Sequence, residues 1–148
     1  MKTTLYAAYG SNMNIEQMAF RCPRAKVVGT SKVEDYELLF RGWKSSAVAT
    51  IEPKEGCSVP LIVWEITKPD EDALDRYEGW PNFYRKQIFT IDFKGKPTEV
   101  MIYIMNDGYP IGIPSPTYFS TIRQGYKSAK FSLKILNKFL ENSENRMP

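Results

Sequence analysis

Glu78 stands near the end of the mid-chain stretch Leu74-Asp75-Arg76-Tyr77-Glu78-Gly79. Read as a helix, Ala73, Leu74, Tyr77 and Glu78 share one face, because side chains three and four apart stack together. Asp70, Glu71, Asp72, Asp75 and Arg76 cover the rest. Glu78 is thus the acidic residue on the side expected to face the core. A carboxylate in an apolar setting is costly unless paired or protonated, and its pKa rises. That is how a general acid/base is made from Glu. The structural alternative is a Glu at a helix end, hydrogen-bonded to nearby backbone or to an Arg. A second stretch, Tyr9-Gly10-Ser11-Asn12, joins an apolar run to a helix. Strand, Gly loop and helix present free backbone N–H groups that bind a carboxylate, a phosphate or a developing oxyanion. Many such turns carry Gly and Ser only because the chain must bend. Gly10 has no G-x-G partner and no Gly-Lys-Ser/Thr follows, so no phosphate-binding Gly pattern is present.

The residues that are missing narrow the chemistry. There is no His among the 148 residues. A Ser-His-Asp triad, a Cys-His pair and a His-ligated metal are excluded. The general base must be Asp, Glu, Lys, Tyr or a cysteine thiolate. Cys22 and Cys57 are the only cysteines, which makes neither a disulfide scaffold nor a zinc site and fits a reducing compartment. Cys22 as a nucleophile lacks a basic partner in the sequence. The net charge of +3 does not by itself imply a nucleic acid or a membrane. Met1-Lys2 leads directly into a short strand, without a signal-peptide pattern. No segment approaches the ~20 apolar residues of a membrane span. A cytoplasmic location is the expectation. Length and the 43% apolar content suit one globular domain over residues 1–148.

The elements that must position these residues follow from punctuation and period. Thr3 to Tyr9 reads as a buried strand that stops at Gly10. Asn14 caps a helix from Ile15 to about Arg21, which Pro23 stops. Ala25 to Phe40 is strand-like, with Gly29 as a bulge or bend. Ala47 to Ile51 is another strand, and Pro53-Lys54-Glu55-Gly56 reads as a turn. Val59 to Ile66 is the most continuous apolar run and is expected to be a central strand. Thr67 caps the helix that carries Glu78, with Asp70, Glu71 and Asp72 in its first turn. Beyond the aromatic loop 80–83, Tyr84 to Phe93 and Glu99 to Met105 form an antiparallel pair around Lys94-Gly95-Lys96-Pro97. Asn106 to Pro116, with its prolines and glycines, is a candidate lid or pocket wall. Ile122, Tyr126, Ala129, Leu133, Leu136 and Leu140 keep helical spacing. Gly125 or the 130–132 segment can divide that stretch into two helices. Asn142 to Pro148 reads as a loose tail. Lys127, Lys130, Lys134 and Lys138 read as the solvated face of an amphipathic helix rather than a phosphate- or RNA-binding stripe.

Three motifs together carry a resemblance. Tyr9-Gly10-Ser11-Asn12-Met13 follows an N-terminal strand, Leu74-Asp75-x-x-Glu78-Gly79 ends a helix, and Pro114-Ser115-Pro116-x-Tyr118 precedes the last helical stretch. In this order and spacing, from about Leu5 to Gly125, the chain resembles the gamma-glutamylcyclotransferase family. The last motif, followed by Ile122 and Gly125, is more similar to the gamma-glutamylcyclotransferase proper than to the gamma-glutamylamine branch. The resemblance implies an α+β fold, a small mixed, mainly antiparallel β-barrel flanked by helices. It implies that the Tyr9-Gly10-Ser11-Asn12 loop floors a cavity and that Glu78 is the catalytic Glu. It places aromatic hydroxyls at Tyr84 and Tyr118, and with Tyr6 and Tyr9 these are candidates to line the pocket. Neither metal nor cofactor is implied.

The implied reaction makes 5-oxoproline and a free amine or amino acid from a gamma-glutamyl compound, as a cyclising acyl transferase or lyase. The substrate's own alpha-amino group is the nucleophile, so the protein need only fold the substrate and move a proton. Two other roles stand beside this one. One is a binding module for gamma-glutamyl or acidic ligands, which gains nothing from a buried carboxylate. The other is a nucleic-acid adaptor using the C-terminal lysines. The small-molecule substrate is the expected partner, with no nucleic acid and no membrane. A homodimer is compatible with the sequence, and no feature decides it.

Overall fold

The computed structural model describes residues 2–148. The first apolar run forms β1 (Thr4–Ala8), whose last three residues are buried. It runs antiparallel to β3 (Val48–Ile66), with Tyr6 opposite Trp64. It runs parallel to β5 (Lys96–Met105), with Tyr6 opposite Met101. A strand paired on both edges and covered on both faces reads as continuously apolar rather than alternating. β2 (Lys26–Arg41) pairs antiparallel with β3, and β4 (Tyr84–Phe93) pairs antiparallel with β5. The sheet order is β2-β3-β1-β5-β4.

The sheet curls but does not close, which corrects the expected barrel. β2 and β4 approach each other, with Tyr36 and Phe89 rings 5.2 Å apart and edge-on. The Ser31 hydroxyl donates to the Asp92 carbonyl across the same seam. Among the described residues no ladder joins the two strands. Register shifts after Val27 and Glu34 bend β2 there, as bulges do. The expected turn at Pro53–Gly56 is part of the second irregularity. β3 continues through it, and residues 54–57 loop out opposite Asp35 between the pairs Tyr36↔Pro53 and Glu34↔Ser58. The Gly56 N–H donates to the Asp35 carboxylate at 3.0 Å. These turn residues kink a long strand without ending it.

Helix α1 (Ile15–Arg21) starts at Asn14, whose side chain accepts from the Gln17 N–H at 3.0 Å. Helix α2 (Lys68–Glu78) begins after Thr67 and ends at Gly79, whose left-handed φ of 71° only glycine adopts without strain. Its acidic residues are not the solvated cover the sequence suggested. Asp70 is buried, and its carboxylate accepts from the Thr67 N–H and hydroxyl, both at 2.9 Å. Glu71 and Asp75 bind Lys86 of β4 at 2.6 and 3.0 Å. These contacts hold α2 against the sheet, with Leu74 at its centre in the core.

Helices α3 (Pro116–Ser128) and α4 (Leu133–Asn145) are separated near Lys130, at φ 63°. The lysine stripe is therefore split between two helices. The C-terminal segment is not a loose tail. Ser143 is buried and accepts from the Phe40 N–H at 3.2 Å, and Arg146 makes two bonds to Glu37 at 2.9 and 3.1 Å. Polar anchoring of this kind leaves no trace in an apolar period. Among the described residues no helix is long and apolar enough to cross a membrane.

Gly125 lets α3 lie directly on the turn after β1. A Cβ there would stand 2.7–2.9 Å from the Met13 Cβ, carbonyl carbon and carbonyl oxygen. Gly125→Ala is expected to destabilise the protein by about 1–3 kcal/mol, the usual cost of overpacking. Denaturant unfolding against the wild type measures it.

Candidate active site

The ends of four strands meet at one edge of the sheet. β1 finishes there, β3 and β4 start there, and β5 nears its end. Between them lies a cavity of about 230 Å³. Tyr9, Gly10, Ser11, Asn12, Glu78, Tyr84 and Tyr118 all line it, and so does Tyr6. The structure thus brings together every residue singled out for the site. It adds Val48, Ala49, Tyr77, Phe83 and Tyr103. Tyr77 was visible on the inner face beside Glu78. Ala49 and Tyr103 arrive only through strand pairing, which their local sequence does not announce.

After Gly10 the chain makes a 3-10 turn, Ser11–Met13, closed by Met13 N–H to the Gly10 carbonyl at 3.0 Å. The amides before that closure are the ones a helical turn leaves without internal partners. A side chain at Gly10 would meet the Ala49 Cβ at 3.3 Å and the Tyr118 hydroxyl at 3.7 Å. Asn12 is buried and connects four groups. Its Nδ2 donates to the Tyr6 hydroxyl at 2.9 Å and to Glu78 Oε1 at 3.3 Å. Its Oδ1 accepts from Arg21, and its carbonyl accepts from Trp64 Nε1 at 3.1 Å. The Ser11 and Tyr77 hydroxyls share a hydrogen bond of 2.8 Å.

Burial pushes the Glu78 carboxyl up to about 7, against the opposing pull of the nearby Arg21 guanidinium. Of the two readings open at the sequence level, the carboxylate is neither ion-paired to that Arg nor tied to backbone; Asn12 is its hydrogen-bond partner. Three of the tyrosine hydroxyls are held by backbone, while those of Tyr6, Tyr77 and Tyr103 bond the side chains of Asn12, Ser11 and Asp75. Tyr9 donates to the Tyr103 carbonyl at 2.7 Å and Tyr84 to the Ala49 carbonyl at 2.6 Å. Tyr118 instead accepts from the Ala49 N–H at 3.0 Å. Burial first, and the Glu78 charge in addition, hold Tyr6, Tyr9, Tyr84, Tyr103 and Tyr118 above the usual phenol range.

Other expectations fall away from this cavity. The 106–116 loop does not wall it. Asn106 to Tyr109 line a separate cleft of about 430 Å³ with Arg41 and Arg85, and Ile111 bridges to Arg41. The Cys22 thiol is buried, pushed up to about 11 by that burial, and donates to the Asp70 carbonyl at 3.5 Å. A thiol so placed is a poor nucleophile. Among the described residues no group of three or more Cys, Asp or Glu is placed to hold a metal ion.

Fold and site define a small α+β protein with one carboxylate of raised pKa in a tyrosine-walled pocket. The model of the family described as Gamma-glutamyl cyclotransferase, AIG2-like, matches residues 6–120, and the chain belongs to that family. Among curated proteins, a mouse (Mus musculus) gamma-glutamylcyclotransferase is 30% identical over 135 residues, covering 85% of this chain and 71% of its own. A Homo sapiens gamma-glutamylcyclotransferase is 28% identical over 144 residues, covering 90% and 76%. A solved structure of a gamma-glutamyl cyclotransferase superposes with a TM-score of 0.84 at 28% identity, over 93% of this chain and 86% of that one.

The raised Glu78 pKa has a consequence for stability. Between the ordinary carboxyl value and about 7, the folded state binds more protons than the unfolded chain. Stability therefore falls as pH rises through that window, and the cost is complete above about 7. Glu78→Gln is expected to raise the melting temperature at pH 8 and to leave it nearly unchanged at pH 4. Calorimetric scans at the two pH values check this.

Proposed function

We propose that this enzyme cyclises a gamma-glutamyl compound to 5-oxoproline and releases a free amine or amino acid, with Glu78 as the proton shuttle. The supporting observation is the placement of the Glu78 carboxylate in one cavity with the Gly10–Asn12 turn. In this reading residues 1–148 act as a single gamma-glutamylcyclotransferase-like domain, in the cytoplasm, on a small-molecule substrate.

Ionised Glu78 takes a proton from the substrate's alpha-ammonium group. The resulting amine attacks the gamma-carbonyl carbon and closes a five-membered ring. The tetrahedral oxyanion faces the amides of Gly10, Ser11 and Asn12, preorganised donors of the kind that stabilise such charge. Collapse breaks the bond to the leaving nitrogen, and Glu78 returns its proton to that nitrogen. Glu78, ionised again, then takes the remaining extra proton from the ring nitrogen and passes it to the released amine, so 5-oxoproline keeps one N–H, the amine leaves as an ammonium, and no protein nucleophile is consumed.

Tyr84 and Tyr118 then offer opposite capacities. The Ala49 carbonyl takes the Tyr84 proton, so that hydroxyl faces the cavity as an acceptor, suited to the substrate ammonium. The Ala49 N–H occupies a Tyr118 lone pair, so the Tyr118 proton is free to donate to a substrate carboxylate or carbonyl. Tyr9, whose hydroxyl is bonded to the Tyr103 carbonyl, fixes the wall. A carboxylate with a pKa of about 7 can both accept and return a proton near neutral pH. That is also why a binding module for acidic ligands fits less well, since a carboxylate at the floor repels an anion.

The test is 5-oxoproline release from gamma-glutamyl-alanine, a gamma-glutamyl amine of lysine, and glutathione. Glu78→Gln is expected to lower kcat by about 100- to 10,000-fold, the range for a lost general acid/base, while ligand-induced thermal shifts persist. Near-wild-type turnover in that variant would make Glu78 structural. For the wild type, kcat/KM is expected to fall about tenfold per pH unit below the Glu78 pKa of about 7, because only the ionised form accepts the proton. A profile flat from pH 5 to 8 would contradict the assignment.

A further inference from the structure

We propose that Arg21 is a positioning residue for Glu78, acting through the Asn12 side-chain amide. The inference rests on Glu78 being the proton shuttle.

Arg21 ends α1 and lines no part of the cavity. Its guanidinium nevertheless reaches the site along two routes. One nitrogen donates to Asn12 Oδ1 and another to Gln17 Oε1 at 3.0 Å. Its flat face lies 3.5 Å from the centroid of the Tyr77 ring. A guanidinium is donor-only, so it dictates which end of the Asn12 amide turns toward it. With Oδ1 facing Arg21, Nδ2 must face Glu78 and Tyr6, as observed at 3.3 and 2.9 Å. Were the amide reversed, its oxygen would meet the Glu78 carboxylate, and two acceptors would repel. The stack on Tyr77 matters for the same reason. Tyr77 immediately precedes Glu78 and is bonded to Ser11, so Arg21 clamps the start of the Gly10 turn and the end of α2 together.

The charge of Arg21 acts beside its geometry. The groups facing Glu78 from the surrounding elements are Tyr6 and Tyr9 at β1, Tyr77 on α2, Tyr84 on β4, Tyr103 on β5 and Tyr118 on α3. All are phenols. Arg21 is the cation that opposes burial and eases Glu78 toward its ionised form. A lysine keeps the charge but has neither the fork nor the planar stacking face. The two contributions can therefore be separated by substitution.

The experiment measures pH profiles of kcat/KM for gamma-glutamyl-alanine cyclisation with wild type, Arg21→Met, Arg21→Lys and Glu78→Gln. Melting temperatures are recorded beside them. Arg21→Met keeps an apolar stem on Tyr77 and loses charge and donors. Its acidic limb is expected to move up by about half to one pH unit, the size of shift one nearby charge produces. Arg21→Lys is expected to keep the wild-type limb while kcat at the plateau falls about tenfold, an order-of-magnitude expectation for a loosened proton carrier. Arg21→Met and Arg21→Lys limbs and plateau rates that both match wild type would overturn the proposal, whatever the melting temperatures do. A wild-type rate in Glu78→Gln would instead overturn the proposed function itself, so the two failures are distinguishable.

Discussion

Glu78 is a carboxylate that the fold half-buries without a full ion-pair partner. Its one side-chain hydrogen bond, from Asn12, is long at 3.3 Å, and Arg21 influences it only from beyond that amide. Left to local preference, the end of α2 would turn this group to water. It is held inward by contacts elsewhere on the helix. Asp70 satisfies the Thr67 N–H and hydroxyl at the first turn. Lys86 ties Glu71 and Asp75 to β4, and the Tyr103 hydroxyl donates to Asp75 at 2.6 Å. Gly79 stops the helix in a left-handed turn, so Glu78 is its last residue. The favourable interactions along α2 offset one unfavourable placement at its end, a pattern common where ionisable groups do chemistry.

The tyrosines answer a related constraint. A wall of aliphatic side chains would raise the carboxyl pKa further and offer the ligand nothing polar. Phenols bury ring area and retain a polar tip. Here the tips are divided between backbone and neighbouring side chains, which fixes the rings. Ala49 alone receives one phenol on its carbonyl and another on its N–H. The strand that begins at Val48 is thereby joined to β4 and α3 at the rim of the cavity.

How far the site was legible depended on whether its parts were local. The Gly10 turn, the cap at Asn14, α2 with its acidic first turn, and the β4–β5 hairpin all rest on short-range signals and appear where the residues indicated, except that the hairpin turn is tighter, with Lys96 and Pro97 already paired in β5. Glu78 on the inner face is a matter of helical period. Ala49, Tyr103 and Arg21 were not legible, because their roles come from register and from a side chain reaching across from α1. The tail was misread for the same reason. Ser143 and Arg146 are polar residues whose anchors, Phe40 and Glu37, lie more than a hundred positions away. Asp70 and Asp75 look solvated in a helical wheel until the Thr67 groups and Lys86 are placed beside them. The sheet stays open between β2 and β4, where no ladder forms among the described residues, and a sequence indicates a bulge more readily than the strand path it produces.

The topology explains why this arrangement suits an intramolecular reaction. β1 is short and sits between two strands, with β3 paired along its length and β5 opposite Tyr6, so its end is held from both sides of the sheet. The chain leaves that point directly into the Gly10 turn. A ligand seated there meets backbone fixed by β1, tyrosines fixed by β3, β4 and β5, and a carboxylate fixed by α2. When the nucleophile already belongs to the substrate, the protein's task, on the proposed chemistry, is to hold a folded conformer and to pass protons from one substrate nitrogen to the other. Rigid surroundings shorten the search for that conformer, since ordering is supplied by the sheet before the ligand arrives. The thiol of Cys22, the chain's nearest approach to a conventional nucleophile, is turned away toward the Asp70 carbonyl. Its exclusion costs such a reaction nothing, because on the proposed chemistry no covalent intermediate with the protein is formed.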